Sequence, residues 1–86
     1  MNFLIRIGDQ GAEIALNDVV IGSEETLFEA HAFAQGVASL ICEEEDLPAN
    51  ITTMLFRPEI NAIPSRDRIQ AAFQRGLAKS IEIEIT

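Results

Sequence analysis

The chain has 86 residues, of which 48% are apolar and 23% are charged. This size and composition predict a single globular domain over residues 1–86 and leave no room for two independent cores. The 14 acidic and 6 basic residues give a formal net charge of −8. That charge excludes a nucleic-acid-binding protein held by phosphate contacts, because such a protein needs a basic surface.

The N-terminal segment has none of the features of a targeting sequence. It has neither a basic start nor a long apolar stretch, so we expect no signal peptide. The longest uncharged run, Ala30 to Cys42, has 13 residues, whereas a membrane span needs about 20 apolar residues. We therefore expect a cytoplasmic protein that does not act at a membrane.

The first part of the chain has the alternating pattern of a β-hairpin. Residues 2–7 and 12–16 alternate between apolar and polar side chains, as half-buried strands do. A turn with two glycines, residues 8–11, connects them. After a turn or bulge signal at Asn17-Asp18, residues 19–21 form either a short additional strand or the end of the second one.

The rest of the chain predicts a helix, a strand, a second helix and a last strand. Ser23 is a suitable N-cap for a helix that runs to about residue 45 with a wide apolar stripe. Ile51 to Arg57 predict a third strand, and Ser65 is expected to cap the second helix. Ser80 to Thr86 alternate isoleucine with glutamate, which predicts the final strand.

Together these elements predict an α+β fold in the order β-β-α-β-α-β. The sheet has four or five mainly antiparallel strands, and both helices pack on one of its faces. Because the third strand is apolar on both sides, some of its residues join Leu4 and Ala15 on the open face. That face is either screened by its neighbours or an apolar binding patch. The charged residues expected around such a patch are Arg6, Glu13, Glu82 and Glu84.

One short segment is similar to a known motif. Ile7-Gly8-Asp9-Gln10-Gly11-Ala12-Glu13-Ile14 resembles the IGxxGxxI core of KH RNA-binding domains. A KH domain has a helix before this loop and a basic loop, whereas a strand precedes it here and the loop contains Asp9. We therefore interpret the segment as a hairpin turn and assign the chain to no family.

No arrangement of residues supports catalysis or a bound cofactor. His31 and Cys42 are the only histidine and cysteine, and on one helix they are about 16 Å apart along the axis, too far for a nucleophile–base pair. The acidic run Glu43 to Asp46 lacks the spacing of a calcium loop. We expect no enzyme, no metal site and no cofactor. Cys42 is interpreted as a small buried residue, or alternatively as a thiol that links two copies on oxidation.

The acidic residues are unevenly distributed. Residues 1–50 contain ten acids and one base, a net charge of −9, and residues 51–86 contain four acids and five bases, a net charge of +1. On the first helix Glu25, Glu29 and Glu43 project within about 40° of one another. Small and aromatic residues lie between or beside them, namely Ala32, Gly36 and Phe28.

This acidic stripe is unfavourable for the helix itself. Glu25 and Glu29 are like charges four residues apart, and Glu43 lies near the negative end of the helix dipole. Three explanations remain open: solubility, recognition of a basic partner, or a basic second helix that packs beside the first and neutralises part of the charge.

Two classes of function remain. The first is a small acidic protein-binding module that occludes a basic site on a partner, of the inhibitor, immunity-protein, antitoxin or phage anti-defence type. Its expected binding residues are Glu25, Phe28, Glu29, Ala32, Gly36 and Glu43. The second is a structural or assembly protein that associates with itself through the open sheet face or the smooth helix surface, and we expect a homodimer.

Overall fold

A β-hairpin opens the fold. The computed structural model describes residues 2–8, 11–45, 50–54 and 63–85, and side chains within residues 2–8, 11–39, 51–53 and 63–82. The elements in chain order are β1 (Asn2–Gly8), β2 (Gly11–Leu16), β3 (Val19–Glu24), α1 (Leu27–Glu45), β4 (Asn50–Met54) and α2 (Arg66–Ile85). The class is α+β, as expected, and the additional strand before the first helix is present as β3.

The four strands form one mixed sheet in the order β3-β2-β1-β4. β2 pairs antiparallel with β1 and with β3, whereas β4 lies parallel to β1. The parallel pair arises because the chain crosses over through α1 before it enters β4. The expectation of a mainly antiparallel sheet therefore holds for two of the three strand pairs.

The turn between β2 and β3 explains how these two strands pair. Asn17 and Asp18 have φ angles of 49° and 71°, which are left-handed values that asparagine and aspartate tolerate better than most residues. Two such residues in succession are typical of a type I′ turn, whose twist matches that of the strands it joins. The turn predicted from Asn17-Asp18 is confirmed.

The core lies between one sheet face and α1. The inward-facing strand residues alternate as the sequence predicts, and α1 covers them with small and aromatic side chains. Phe33 packs tightly enough that a Cβ atom added at Gly22 on β3 would lie 2.8 Å from its ring. The buried residues of this cluster are Phe3, Ile5, Ile7, Ala12, Ile14, Leu16, Ala30, Phe33, Ala34, Val37 and Ala38.

The two helices are arranged differently from the prediction. Only α1 lies against the sheet, and α2 packs mainly against α1. The expectation that both helices cover one sheet face is wrong, because a four-stranded sheet with one long helix across it already buries its apolar face. The result is three layers: sheet, α1 and α2.

The predicted last strand is part of α2. The alternation over residues 80–86 is local, but the contact with α1 follows helical spacing: Ala72, Gly76 and Ser80 recur every four residues and are all buried. The Ser80 hydroxyl donates to the carbonyl of Leu77 at 2.6 Å, which keeps it satisfied inside the helix. Tertiary packing therefore overrides the strand pattern, and Ile81 is left exposed.

The first helix and the strand that follows it have boundaries that differ from the prediction. α1 begins at Leu27 rather than after Ser23, because β3 continues to pair with β2 as far as Glu24. The strand predicted over residues 51–57 is β4, Asn50–Met54. Its Ile51 packs against the core, whereas Leu55 and Phe56 lie outside the described residues. Ser65 does cap α2, since its hydroxyl accepts a hydrogen bond from the Arg68 backbone at 3.3 Å.

Candidate functional site

The start of α1 is fixed by a reciprocal cap. The Thr26 Oγ1 atom accepts a hydrogen bond from the Glu29 backbone N–H at 3.3 Å, and its hydroxyl donates to Glu29 Oε1 at 2.9 Å. This arrangement satisfies an otherwise unpaired helix N–H and places a carboxylate at the positive end of the helix dipole. Glu29 is consequently buried.

Two arginines of α2 neutralise the acids around this cap. Arg68 Nη2 lies 2.7 Å from Glu25 Oε2 and 2.8 Å from Glu29 Oε1. Arg75 binds Glu24 with two nitrogens, Nε at 3.0 Å and Nη2. We call these five residues the charged cluster: Glu24, Glu25, Glu29, Arg68 and Arg75.

The charged cluster is tightly coupled. The hydrogen bonds to Glu24 raise the pKa of Arg75 above its ordinary value, against the opposing effect of burial, and the charges of Glu24, Glu29 and Glu25 add to the increase. The Glu24 and Glu29 side chains are only 6% and 5% exposed. They therefore depend on the arginines for compensation, because a buried carboxylate without a partner is costly.

A close helix crossing lies next to the charged cluster. A Cβ atom added at Gly36 would lie 3.1 Å from the Cα of Gly76 and would clash with the carbonyl oxygen of Phe73. A Cβ atom at Gly76 would clash with the carbonyl oxygen of Phe33. The backbones of α1 and α2 touch here, which only glycine permits.

These contacts also give the relative direction of the helices. Arg68, near the start of α2, meets Glu29, near the start of α1. Gly76 then meets Gly36 further along both helices. α1 and α2 therefore run in the same direction, and their C-terminal ends lie on the same side of the molecule.

That common side is strongly acidic. Glu43, Glu44 and Glu45 are the last three residues of α1, and Glu82 and Glu84 lie in the last turn of α2. Neither last turn contains a basic residue, and both add the partial negative charge of a helix C-terminus. Lys79, just before the last turn of α2, pairs with Glu82 at 3.5 Å. We call this region the acidic end.

The six residues predicted to bind a partner are divided by this arrangement. Glu29, Ala32 and Gly36 are buried, and Gly36 contacts α2 directly, so the expected smooth exposed surface on α1 is wrong. Glu25 and Phe28 are exposed, the Glu25 side chain by 84%.

The structure shows the alternative left open by the sequence, in which the basic second helix neutralises the first. Its Arg68 pairs with both Glu25 and Glu29. Glu43 lies fourteen residues after Glu29 in α1 and belongs to the acidic end. The stripe of three glutamates is therefore divided between two opposite ends of α1.

The sheet face opposite α1 carries a row of three apolar residues and one threonine. The strand register places Thr52, Leu4, Ala15 and Val20 side by side across the sheet. The next row contains Arg6 and Glu13, which form an exposed ion pair at 3.6 Å. Neither described helix packs on this face, which we call the open face.

The charged rim expected around the open face is half present. Arg6 and Glu13 lie there, whereas Glu82 and Glu84 belong to α2.

The open face ends at an unpaired strand edge. β3 pairs with β2 on one side, and no strand among the described residues pairs with its other side, which we call the outer edge of β3. Val19 and Val20 are 64% and 55% exposed there. Residues 19–23 contain no charge.

A groove of about 490 Å³ lies between the end of β3 and α2. Its lining is the charged cluster together with Ser23 and Ala71. Because the charged groups of the groove already bind one another, the groove has a structural role in holding α2 on the rest of the fold.

His31 has a structural contact. Its Nε2 lies 3.2 Å from the Thr53 hydroxyl, which ties α1 to β4. Cys42 lies on α1 eleven residues further on. Within the part of the chain that the structure describes, no group of three or more His, Cys, Asp or Glu residues is placed to hold a metal ion.

Comparisons with known proteins leave the function to be argued from these surfaces. No protein-family model, no curated protein and no solved structure matches the chain. Neither α1 nor α2, as far as their residues are described, is long and apolar enough to cross a membrane. In the part of the chain that the structure describes, three surfaces are candidates for contact with another molecule: the acidic end, the open face and the outer edge of β3.

Proposed function

We propose that the protein is a non-enzymatic protein-binding module that covers a basic site on a partner protein in the cytoplasm. Immunity proteins, antitoxins and phage-encoded inhibitors of host defence are of this type. The observation that supports the proposal is the separation of charge along the helix pair. At one end three acids bind two arginines, whereas at the other end the last turns contain five glutamates and no basic residue, and Lys79 just before the last turn of α2 pairs with Glu82 at 3.5 Å.

This separation of charge is better explained by recognition of a basic partner than by a need for solubility. A protein that needed only a high net charge gains nothing from placing glutamates at two helix C-termini, where the dipoles oppose them. A basic partner would relieve that repulsion. The acids would then steer the encounter and fix its orientation, and each charge at the rim of the interface would contribute only about 0–1 kcal/mol to affinity.

The test removes charge at the acidic end alone. The variant Glu43→Gln/Glu44→Gln/Glu45→Gln changes the formal net charge from −8 to −5. Proteins are captured from an extract of the source cells with wild-type and variant baits, and the purified partner is measured by surface plasmon resonance. We expect the variant to associate about tenfold more slowly than the wild type at about 50 mM salt, and the difference to be smaller at about 300 mM. The reason is that the Debye length, over which charges act on one another, falls from about 14 Å to about 6 Å.

A second triple variant controls for net charge. Asp9→Asn/Glu13→Gln/Asp67→Asn removes the same three charges from the segment between β1 and β2, from β2 and from the first turn of α2. We expect this control to bind nearly as fast as the wild type. The proposal would be contradicted if both triple variants lost the same factor in association rate. It would also be contradicted if no captured protein preferred the wild-type bait to the variant.

A self-associating structural or assembly protein is the second candidate. The observation that favours it is the open face together with the outer edge of β3, where two valines are more than half exposed. The two candidates differ in their dependence on salt. Association through the acidic end weakens as salt rises, and association of like-charged copies strengthens.

A further inference from the structure

The outer edge of β3 presents backbone groups without a strand partner. Alternate N–H and C=O groups of an edge strand point away from the sheet and can pair with another chain. Proteins usually protect such an edge with lysine, proline or an inward-pointing charge. Residues 19–23, Val-Val-Ile-Gly-Ser, contain none of these, and the inward-pointing charge of Glu24 at the end of β3 is neutralised by Arg75.

The charge distribution identifies which molecule fits this edge. Two copies with a net charge of −8 each repel one another over most of their surface. At the outer edge of β3 this repulsion is smallest, because residues 19–23 are uncharged and the following Glu24 is bound by Arg75. A strongly basic strand would find no unpaired acid between Val19 and Glu24, so the edge does not favour such a partner.

The two ends of the edge differ in their charged groups. Asp18 precedes β3 and has no ion pair among the described residues. Arg75 lies beside the other end of β3, and its side chain is 50% exposed. If two β3 strands pair antiparallel, Asp18 of each copy comes next to Glu24 and Glu25 of the other and to the half-exposed Arg68 and Arg75 that bind them, whose guanidinium groups partly offset its charge.

We propose that two copies of this chain associate through the outer edges of β3, antiparallel about a two-fold axis, to form one continuous sheet of eight strands. This inference rests on the second candidate function and is independent of binding by the acidic end. Val19 and Val20 of each copy contact the other copy, and an isologous contact of this kind closes the assembly at two copies.

The size of the contact indicates a reversible dimer. A strand of six residues is about 20 Å long. Pairing along that length buries less than the roughly 1,200–2,000 Å² of a stable specific interface. The dissociation constant is therefore on the order of micromolar or weaker, and it decreases as salt screens the remaining repulsion.

Sedimentation equilibrium over a range of concentrations tests the dimer. Val20→Lys places a like charge on each side of the two-fold axis, and we expect the dissociation constant to rise about tenfold or more. The matched control is Ile63→Lys, because Ile63 is 79% exposed, belongs to the segment before α2 rather than to β3, and receives the same change in charge and polarity. The control should dimerise as well as the wild type. Circular dichroism verifies that both variants fold.

Amide hydrogen exchange gives a second and independent readout. In the wild type, raising the protein concentration should slow exchange at alternate residues of β3 and leave α2 unchanged. A monomer at all concentrations and salts would overturn the proposal. So would a dimer weakened equally by Val20→Lys and Ile63→Lys, or one that dissociates as salt rises. None of these results bears on the acidic end, whose own triple variant tests it separately.

Discussion

The two ends of the helix pair contain the same residue type in opposite situations. At the N-terminal ends, glutamates lie at a positive helix terminus and are bound by arginines of the other helix. At the C-terminal ends, glutamates lie at negative helix termini with no base in either last turn, and the pair that Lys79 forms with Glu82 is an exposed one at 3.5 Å. The first arrangement stabilises the fold, and the second opposes it. A similar density of acid in the sequence therefore has different consequences at each end.

The crossing between the two ends should be the most sensitive point of the fold. Gly36→Ala places a methyl group against the backbone of α2, which cannot move aside as a flexible side chain could. We expect a loss of about 3 kcal/mol in the free energy of unfolding, measured by urea denaturation. Gly8→Ala is the matched control, because none of the described atoms lies within 4 Å of the added Cβ atom. Similar losses in both variants would contradict a tight crossing.

Breaking the charged cluster should have the next largest effect. Arg75→Met leaves the Glu24 side chain, which is 6% exposed, without its two hydrogen bonds. We expect a loss of about 2 kcal/mol, because the remaining carboxylate is buried without compensation.

Two further variants show whether that loss comes from the ion pair. Arg66→Met removes an exposed arginine that has no ion pair among the described residues, and it should change stability by less than about 0.5 kcal/mol. The double variant Arg75→Met/Glu24→Gln should recover part of the loss, since it removes the buried charge as well. If the double variant is less stable than Arg75→Met, Glu24 contributes through another contact.

The residue that caps α1 differs between the structure and the sequence prediction, and two variants can distinguish them. Thr26→Ala removes the hydroxyl that binds both the backbone and the carboxylate of Glu29, and a loss of about 1 kcal/mol is expected. Ser23→Ala, at the position that the sequence favoured as the cap, should lie within about 0.5 kcal/mol of the wild type. Thermal unfolding followed by circular dichroism measures both. The reverse order of effects would mean that the helix begins at Ser23.

The elements that were predicted correctly are those whose pattern is local. Phe3, Ile5 and Ile7 alternate because β1 has one buried face, and the first helix has its apolar stripe because it covers that face. Asn17-Asp18 and Ser65 have roles that follow from their own side chains. The α+β class followed from these elements.

The predictions fail where a contact between residues far apart in the sequence determines the local structure. Residues 80–86 alternate like a strand, but Ser80 continues the ridge of small residues that packs on α1. Gly36 looked like part of an exposed smooth surface because the sequence does not show which helix covers it. The pairing of Arg68 with Glu29 joins residues 39 positions apart and was only one of three open explanations. A four-residue spacing of Ala72, Gly76 and Ser80 was the signal that could have revealed the crossing.

The smallest expected effect concerns the acidic end, and it connects stability with function. Glu43→Gln/Glu44→Gln/Glu45→Gln removes three charges from the negative terminus of α1. Each charge costs about 0.3–1 kcal/mol at low salt and less when screened, so the variant should be more stable by less than about 1 kcal/mol at physiological salt. Thermal unfolding at two salt concentrations measures the gain, which should shrink as salt rises.

A variant that is more stable and yet binds its partner more slowly would show that the acidic end is retained at the expense of the fold. A variant that is less stable would mean that these glutamates have stabilising partners, and the contrast between the two ends would be lost.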